Sequence, residues 1–144
     1  MTARDQSSMD QALSSLVRDC LEPLDPTGFS VTTEWSDGAG MWFTEVEPSD
    51  PSCALISVAW AGGDTVNVVV GNTSFEMYGL SSPSDLGEVR DIIQASIAGR
   101  MHETESGRLW GSRAVFDTDS GPVRAGNLAS WSGGHTYAPY RIRA

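Results

Sequence analysis

Lysine is absent from the 144-residue sequence, so nine arginines carry all of its positive side-chain charge. Nineteen aspartates and glutamates bring the formal net charge to −10. Because nucleic-acid affinity comes mainly from cationic contacts to phosphate, this balance argues against direct nucleic-acid binding. It also excludes the phosphate-binding loop Gly-x-x-x-x-Gly-Lys, which requires a lysine. An arginine-only composition is typical of high-GC bacterial genomes, so we expect a bacterial protein.

Long apolar segments are also lacking. The longest apolar runs extend over only a few residues, which is too short for a membrane span. The first ten residues are polar and do not contain the apolar core of a secretory signal. We therefore expect a cytoplasmic protein that does not contact a membrane.

Histidine and cysteine are scarce, with two residues of each type. Cys20, Cys53, His102 and His135 do not have the spacing of a structural zinc site. Segment 117–121 has the start of a calcium loop but lacks its later ligands. The sequence contains no Gly-x-Ser-x-Gly elbow and no recognisable triad around either histidine. We therefore predict no catalytic residue, no metal site and no cofactor, and we interpret the two cysteines as buried thiols.

Two segments have helical periodicity. An apolar stripe predicts a first helix over residues 8–21. Ser82, Pro83 and Asp85 have the spacing of an N-cap, a first helical residue and a capping-box acid. The second helix is expected to end within residues 98–103, which would place His102 near its C-terminus.

Alternating apolar and polar residues between the helices predict five strands, at 29–35, 41–47, 53–60, 65–70 and 74–78. Short turns favour antiparallel pairing of successive strands. We therefore expect an α+β fold, in which an antiparallel meander of about five strands packs against two helices, with a less regular C-terminal hairpin and tail. Residues 1–126 are predicted to form one domain. Residues 127–144 are predicted to form an aromatic, Gly- and Ser-rich tail that is packed or partly disordered.

The distribution of charge is the most informative feature of the sequence. No basic residue lies between Arg18 and Arg90, whereas that interval contains twelve acidic residues. Strand alternation directs several of them, together with aromatic side chains, away from the helices. Carboxylates can steer a basic partner and aromatic rings can anchor it. The predicted partner-binding residues are Glu34, Asp37, Phe43, Glu45, Glu47, Glu76 and Tyr78.

Three functions are compatible with this pattern. The leading hypothesis is a non-enzymatic, acidic protein-binding module, an immunity protein or inhibitor that masks a basic partner such as a nuclease or another toxin. The second is a chaperone or assembly subunit of a secretion or phage system, which predicts salt-insensitive binding. The third is a small enzyme that uses carboxylates such as Glu34 and Glu45, or a divalent metal. The protein is expected to be a monomer or a homodimer, and a purely solubilising acidic surface is the remaining alternative.

Overall fold

The computed structural model describes residues 3–36, 40–105, 112–126 and 134–143. The helices and strands, in chain order, are α1 (Ala3–Leu21), β1 (Phe29–Ser36), β2 (Met41–Pro48), β3 (Ile56–Trp60), β4 (Val66–Val70), β5 (Thr73–Met77), α2 (Gly87–Ile97), β6 (Met101–Glu105), β7 (Ser112–Thr118), β8 (Gly121–Gly126) and β9 (Gly134–Thr136). Short 3₁₀ turns precede β1 and α2, at Pro26–Gly28 and Pro83–Asp85. Within the described ranges, no helix combines the length and the hydropathy that crossing a bilayer requires.

Strands β1 to β5 form one antiparallel sheet in chain order. One side of this sheet is buried and shares a hydrophobic core with the apolar stripes of α1 and α2. The sheet residues in this core are Trp42, Val46, Ile56, Val58, Trp60, Val66, Val68 and Val70. Burying an aliphatic side chain of this kind stabilises the folded state by about 1.5–3 kcal/mol. The predicted α+β fold, with a five-stranded meander and two helices, is therefore confirmed.

The first strand lies at an edge of this sheet, and its inward side chains are only partly covered. Val31 pairs with Val46 and Trp35 pairs with Trp42, so both project to the helix side. Val31 and Trp35 are each 45% exposed, whereas Val46 and Trp42 are buried. The closely packed core therefore ends at β2.

The capping residues predicted before α2 are confirmed, whereas the predicted first residues of the two α-helices are not. The Asp85 carboxylate accepts a hydrogen bond from the Ser82 backbone N–H at 3.1 Å, as a capping box requires. A 3₁₀ turn follows this cap, and the α-helix itself begins at Gly87. Helix α1 begins at Ala3 rather than at the predicted Ser8. The residues before Ser8 include good helix formers, and their propensity extends the helix beyond its apolar stripe.

The end of α2 corrects the sequence prediction. The helix ends at Ile97, before the predicted range 98–103, and a strand, β6, follows at once. Gly99 has a φ of +71°, the left-handed conformation in which glycine commonly ends a helix. His102 is therefore an exposed residue on a strand and does not lie at a helix C-terminus.

A second antiparallel sheet has the strand order β8-β7-β6-β9. The predicted C-terminal hairpin corresponds to β7 and β8, and β6 and β9 extend it into a sheet that the sequence analysis did not predict. Phe116 on β7 packs against Phe75 on β5, with ring centroids 5.7 Å apart. The second sheet therefore contributes to the same core as the first.

The C-terminal segment 134–143 is packed against the rest of the chain. Tyr140 is buried, and its backbone N–H donates to the carbonyl of Ile97 at 2.8 Å. Its hydroxyl donates to the carbonyl of Ala54. This segment thus connects the end of α2 with the β2–β3 connection. Residues 127–133 of the predicted tail lie outside the described ranges.

Glu103 lies fully buried where β6 meets the first sheet. Its carboxylate accepts hydrogen bonds from the Thr73 hydroxyl at 2.5 Å, the Asn72 backbone N–H at 2.9 Å and the Tyr137 hydroxyl at 2.7 Å. A buried carboxylate is costly unless such donors surround it. We call these four residues the Glu103 cluster. The cluster joins β6, the β4–β5 turn and the C-terminal segment.

Candidate functional site

The outer face of the first sheet, the side of β1–β5 that points away from the helices, holds a continuous cross-strand row. The register pairs successive members of this row on neighbouring strands, from β1 to β5. The row consists of Glu34, Phe43, Ala59, Asn67 and Glu76. An aromatic ring therefore lies beside Glu34, and a second carboxylate closes the row at the far edge.

Two more carboxylates extend the outer face along β2. Glu45 and Glu47 follow Phe43 at intervals of two residues, so all three point to the same side. Glu45 lies opposite Thr32 and Ser57, which are small polar residues. No arginine occurs in β1–β5, so the outer face combines four carboxylates with no basic side chain.

The carboxylates of the outer face are open to a partner. Glu34 and Glu47 are exposed, and Glu45 and Phe43 are half-buried. Within the described ranges, the side-chain carboxylates of Glu34, Glu45 and Glu47 form no hydrogen bond or ion pair. These carboxylates are therefore available to cationic groups from outside the chain.

Two predicted residues lie beside or outside this face. Tyr78 directly follows β5, is 70% exposed, and donates a hydrogen bond from its hydroxyl to the Glu76 carboxylate. That hydrogen bond raises the pKa of Tyr78, because the carboxylate stabilises the protonated phenol. Asp37 lies outside the described residues.

Several other acidic residues of the long arginine-free interval have structural roles instead. Asp25 accepts a hydrogen bond from the Thr27 backbone N–H at 3.0 Å, and this bond lowers the pKa of Asp25. Arg141 lies 3.8 Å from the same carboxylate. Asp50 binds the backbone N–H and hydroxyl of Ser52, and the hydroxyl bond is the main cause of its lowered pKa. The acidic residues of the interval are thus distributed among the outer face, turn-stabilising positions and other exposed sites such as Asp19 and Asp64.

A cleft between β5 and β8 is the feature that the sequence analysis missed. We call it the β5–β8 cleft, and its volume is about 520 Å³. Its apolar residues include Phe75, Ile92 and Val123, and its charged residues are Glu76, Glu88 and Arg124. Of the residues that line this cleft, only Glu76 and Tyr78 were among the predicted partner-binding residues. For the part of the chain that contains β8, the sequence predicted only a less regular C-terminal hairpin. Such a prediction does not reveal that β8 lies beside β5.

Within the described ranges, no group of three or more His, Cys, Asp or Glu side chains is arranged to hold a metal ion. Cys20 and Cys53 are free and buried. Burial raises the pKa of the Cys20 thiol to about 11, so this group is protonated and a weak nucleophile near neutral pH. The side chain of His135 lies outside the described residues.

Comparison with known proteins finds no matching family model, no similar curated protein and no similar solved structure. The outer face and the β5–β8 cleft are therefore the features of this chain that bear on its function.

Proposed function

We propose that this protein is a non-enzymatic, acidic protein-binding module whose outer face covers a basic surface of a protein partner. The observation that carries the proposal is the placement of Glu34, Glu45, Glu47 and Glu76 on one face of a sheet that lacks arginine. Immunity proteins and inhibitors of nucleases or other toxins act in this way, with carboxylates taking the place of the phosphates that the partner normally binds.

The physical properties of the face fit this role. Unpaired carboxylates of one sign accelerate association with a cationic surface and disfavour acidic partners. Phe43, half-buried among these carboxylates, provides an aromatic side chain that a partner can cover. Because the side chains of Glu34, Glu45 and Glu47 form no hydrogen bond or ion pair in the described part of the chain, their replacement should affect binding more than folding.

Charge reversal on the outer face tests this proposal. The face variant carries Glu34→Arg, Glu45→Arg and Glu47→Arg. Its matched control carries Asp19→Arg, Asp64→Arg and Asp117→Arg, three exposed positions that do not lie on the outer face and that give the same change in net charge. Each protein is immobilised and used to capture binding proteins from a lysate of the source cells, with washes at low and high salt.

The captured protein is then purified and its affinity measured by calorimetry. The wild type and the control variant should bind the same basic protein, and binding should weaken at high salt because surface charges are screened. The face variant should lose most of this affinity while its circular dichroism spectrum stays unchanged. Equal binding by the face variant, or capture of only acidic partners, would contradict the proposal.

A further inference from the structure

The free edge of β5 carries unpaired backbone groups. The Gly71 N–H donates to the Leu55 carbonyl at 2.9 Å, so Gly71 directs its backbone groups towards β3. Backbone direction repeats at every second residue of a strand, so Val69 also directs its backbone groups towards β3. Ser74 lies opposite Val69. Hydrogen-bonded and non-bonded pairs alternate in an antiparallel ladder, so Ser74 and Glu76 direct their N–H and C=O groups away from β4. Because β5 is the last strand of its sheet, these groups point to the open edge.

The edge strand β8 also carries unpaired backbone groups. The Asp117 N–H donates to the Arg100 carbonyl at 2.8 Å, so the backbone groups of Asp117 point away from β8. Alternation then directs the backbone groups of Pro122, Arg124 and Gly126 to the open edge. Pro122 has no N–H, and proline commonly blocks such edges. Arg124 and Gly126 have no such protection.

These two edges line the same cleft. Ser74, Glu76, Arg124 and Gly126 all border the β5–β8 cleft. Within the described ranges, no backbone hydrogen bond joins β5 to β8. Unpaired N–H and C=O groups of a sheet edge are the groups that an added strand binds in β-augmentation. Cα atoms of β5 and β8 come within 8 Å of each other, which is less than the two spacings of about 4.8 Å that a strand paired with both edges needs. An added strand would therefore pair with the edge of β5 and pack beside β8.

The side chains of the cleft define the kind of segment that would fit. Phe75, Met77 and Val123, which are half-buried, offer apolar contacts to the inward-facing residues of an added strand. Glu76 and Glu88 are exposed carboxylates, against the single guanidinium of Arg124. The balance of charge is therefore negative and complementary to cationic side chains.

We propose that the β5–β8 cleft binds an extended, basic segment of a protein partner by β-augmentation. The segment alternates apolar residues, which face the interior of the cleft, with polar or cationic residues, which lie beside Glu76 on the outer side of the sheet. Glu88, on α2, adds negative charge on the helix side of the cleft. This inference goes beyond the proposed function, because it concerns a strand edge and a cleft whose only outer-face carboxylate is Glu76. It holds whether or not Glu34, Glu45 and Glu47 bind a partner.

A displayed library of random peptides of about ten residues, the length of a long strand, provides the probe. The library is selected against the full chain, and the enriched peptides are synthesised and titrated. They should alternate apolar and polar residues and be rich in arginine and lysine. Amide shifts in nuclear magnetic resonance spectra should concentrate at Ser74, Glu76 and Arg124.

Matched variants separate backbone pairing from charge. Ser74→Pro removes an edge N–H without removing a β4–β5 hydrogen bond, and should weaken peptide binding about tenfold or more. Ser74→Thr keeps that N–H and should bind as the wild type does. Glu76→Arg with Glu88→Arg should also weaken binding at least about tenfold, and this surface variant decides the matter if Ser74→Pro fails to fold.

The proposal is overturned if no sequence is enriched, if the enriched sequences have helical spacing, or if they bind the Glu76→Arg, Glu88→Arg variant as tightly as the wild type. The face variant with Glu34→Arg, Glu45→Arg and Glu47→Arg serves as the reference for the proposed function. It should still bind the peptides, because these three positions lie outside the cleft. Loss of peptide binding and loss of the captured partner are therefore distinguishable outcomes.

Discussion

Replacing Glu103 with alanine should destabilise the fold more than any substitution on the outer face. The change removes an acceptor that four donor groups share at distances of 2.5–3.3 Å: the hydroxyls of Thr73 and Tyr137, and the backbone and side-chain N–H groups of Asn72. A buried donor left without its acceptor costs about 1–3 kcal/mol. Thr73 is fully buried, whereas Tyr137 is half-buried and Asn72 is exposed, so water can partly replace the lost bonds of the last two.

The expected loss is therefore about 3–5 kcal/mol, a large part of the roughly 5–15 kcal/mol that stabilises a typical domain. At this chain length such a loss lowers the melting temperature by about 10 °C or more. Tyr137→Phe, which removes one hydrogen bond to a charged group, should cost about 1.5–3 kcal/mol.

Urea denaturation and thermal melts measure both effects. Glu34→Ala is the matched control, because the Glu34 side chain is exposed and forms no hydrogen bond or ion pair in the described part of the chain. This substitution should change the free energy of unfolding by no more than about 0.5 kcal/mol. The double variant Glu103→Ala, Tyr137→Phe should be less destabilised than the sum of the two single changes, since both remove the same hydrogen bond. If Glu103→Ala unfolds at the same urea concentration as Glu34→Ala, the structural role assigned to the Glu103 cluster is wrong.

Two further predictions concern pH and the helix end. Burial raises the pKa of Cys20 to about 11, from 9.0, and also raises that of Tyr140. Between these two pKa values the folded protein keeps a proton that the unfolded chain has released. The stabilising contribution of Cys20 should therefore be fully present below pH 9.0 and be lost as pH rises through about 11. Urea denaturation over this pH range should show a falling free energy of unfolding and a smaller fall for Cys20→Ala, and a flat profile would contradict the prediction. Gly99→Ala should cost more than about 1 kcal/mol, because φ is +71° and a Cβ would lie 2.9 Å from the Tyr137 carbonyl oxygen. Gly87→Ala, at a site with open space, should be neutral or stabilising by thermal melt, and equal effects at the two glycines would refute this argument.

Local patterns in the sequence were sufficient to predict the first sheet and its outer face. Alternation in β1 and β2 gives the directions of Glu34, Phe43 and Glu45, because successive side chains of a strand point to opposite sides of the sheet and one side of this sheet is buried. Short turns leave neighbouring strands few ways to pair. The capping residues before α2 were equally clear, since Ser82 and Asp85 satisfy backbone N–H groups locally.

The second sheet and the cleft depend on contacts between distant parts of the chain. Nothing near Glu103 in the sequence reveals that its carboxylate is buried, because its donors lie about 30 residues away in either direction. The end of α2 at Ile97 was predicted slightly too late, because helical periodicity alone does not fix where a helix stops. The close approach of residues 137–139 to Gly99 is a tertiary contact that no local pattern reveals. The β5–β8 cleft likewise requires two sheets to meet, which alternation within one strand does not encode.

Carboxyl footprinting of the complex tests whether the partner covers the outer face. A carbodiimide couples a neutral amine to exposed carboxylates, and mass spectrometry locates the modified residues in the free chain and in its complex with the captured protein. Glu34, Glu45 and Glu47 should react in the free chain and be protected in the complex, while Asp19 and Asp64 should react equally in both. Unchanged reactivity of the three glutamates, in a complex that protects other carboxylates, would show that the partner docks elsewhere.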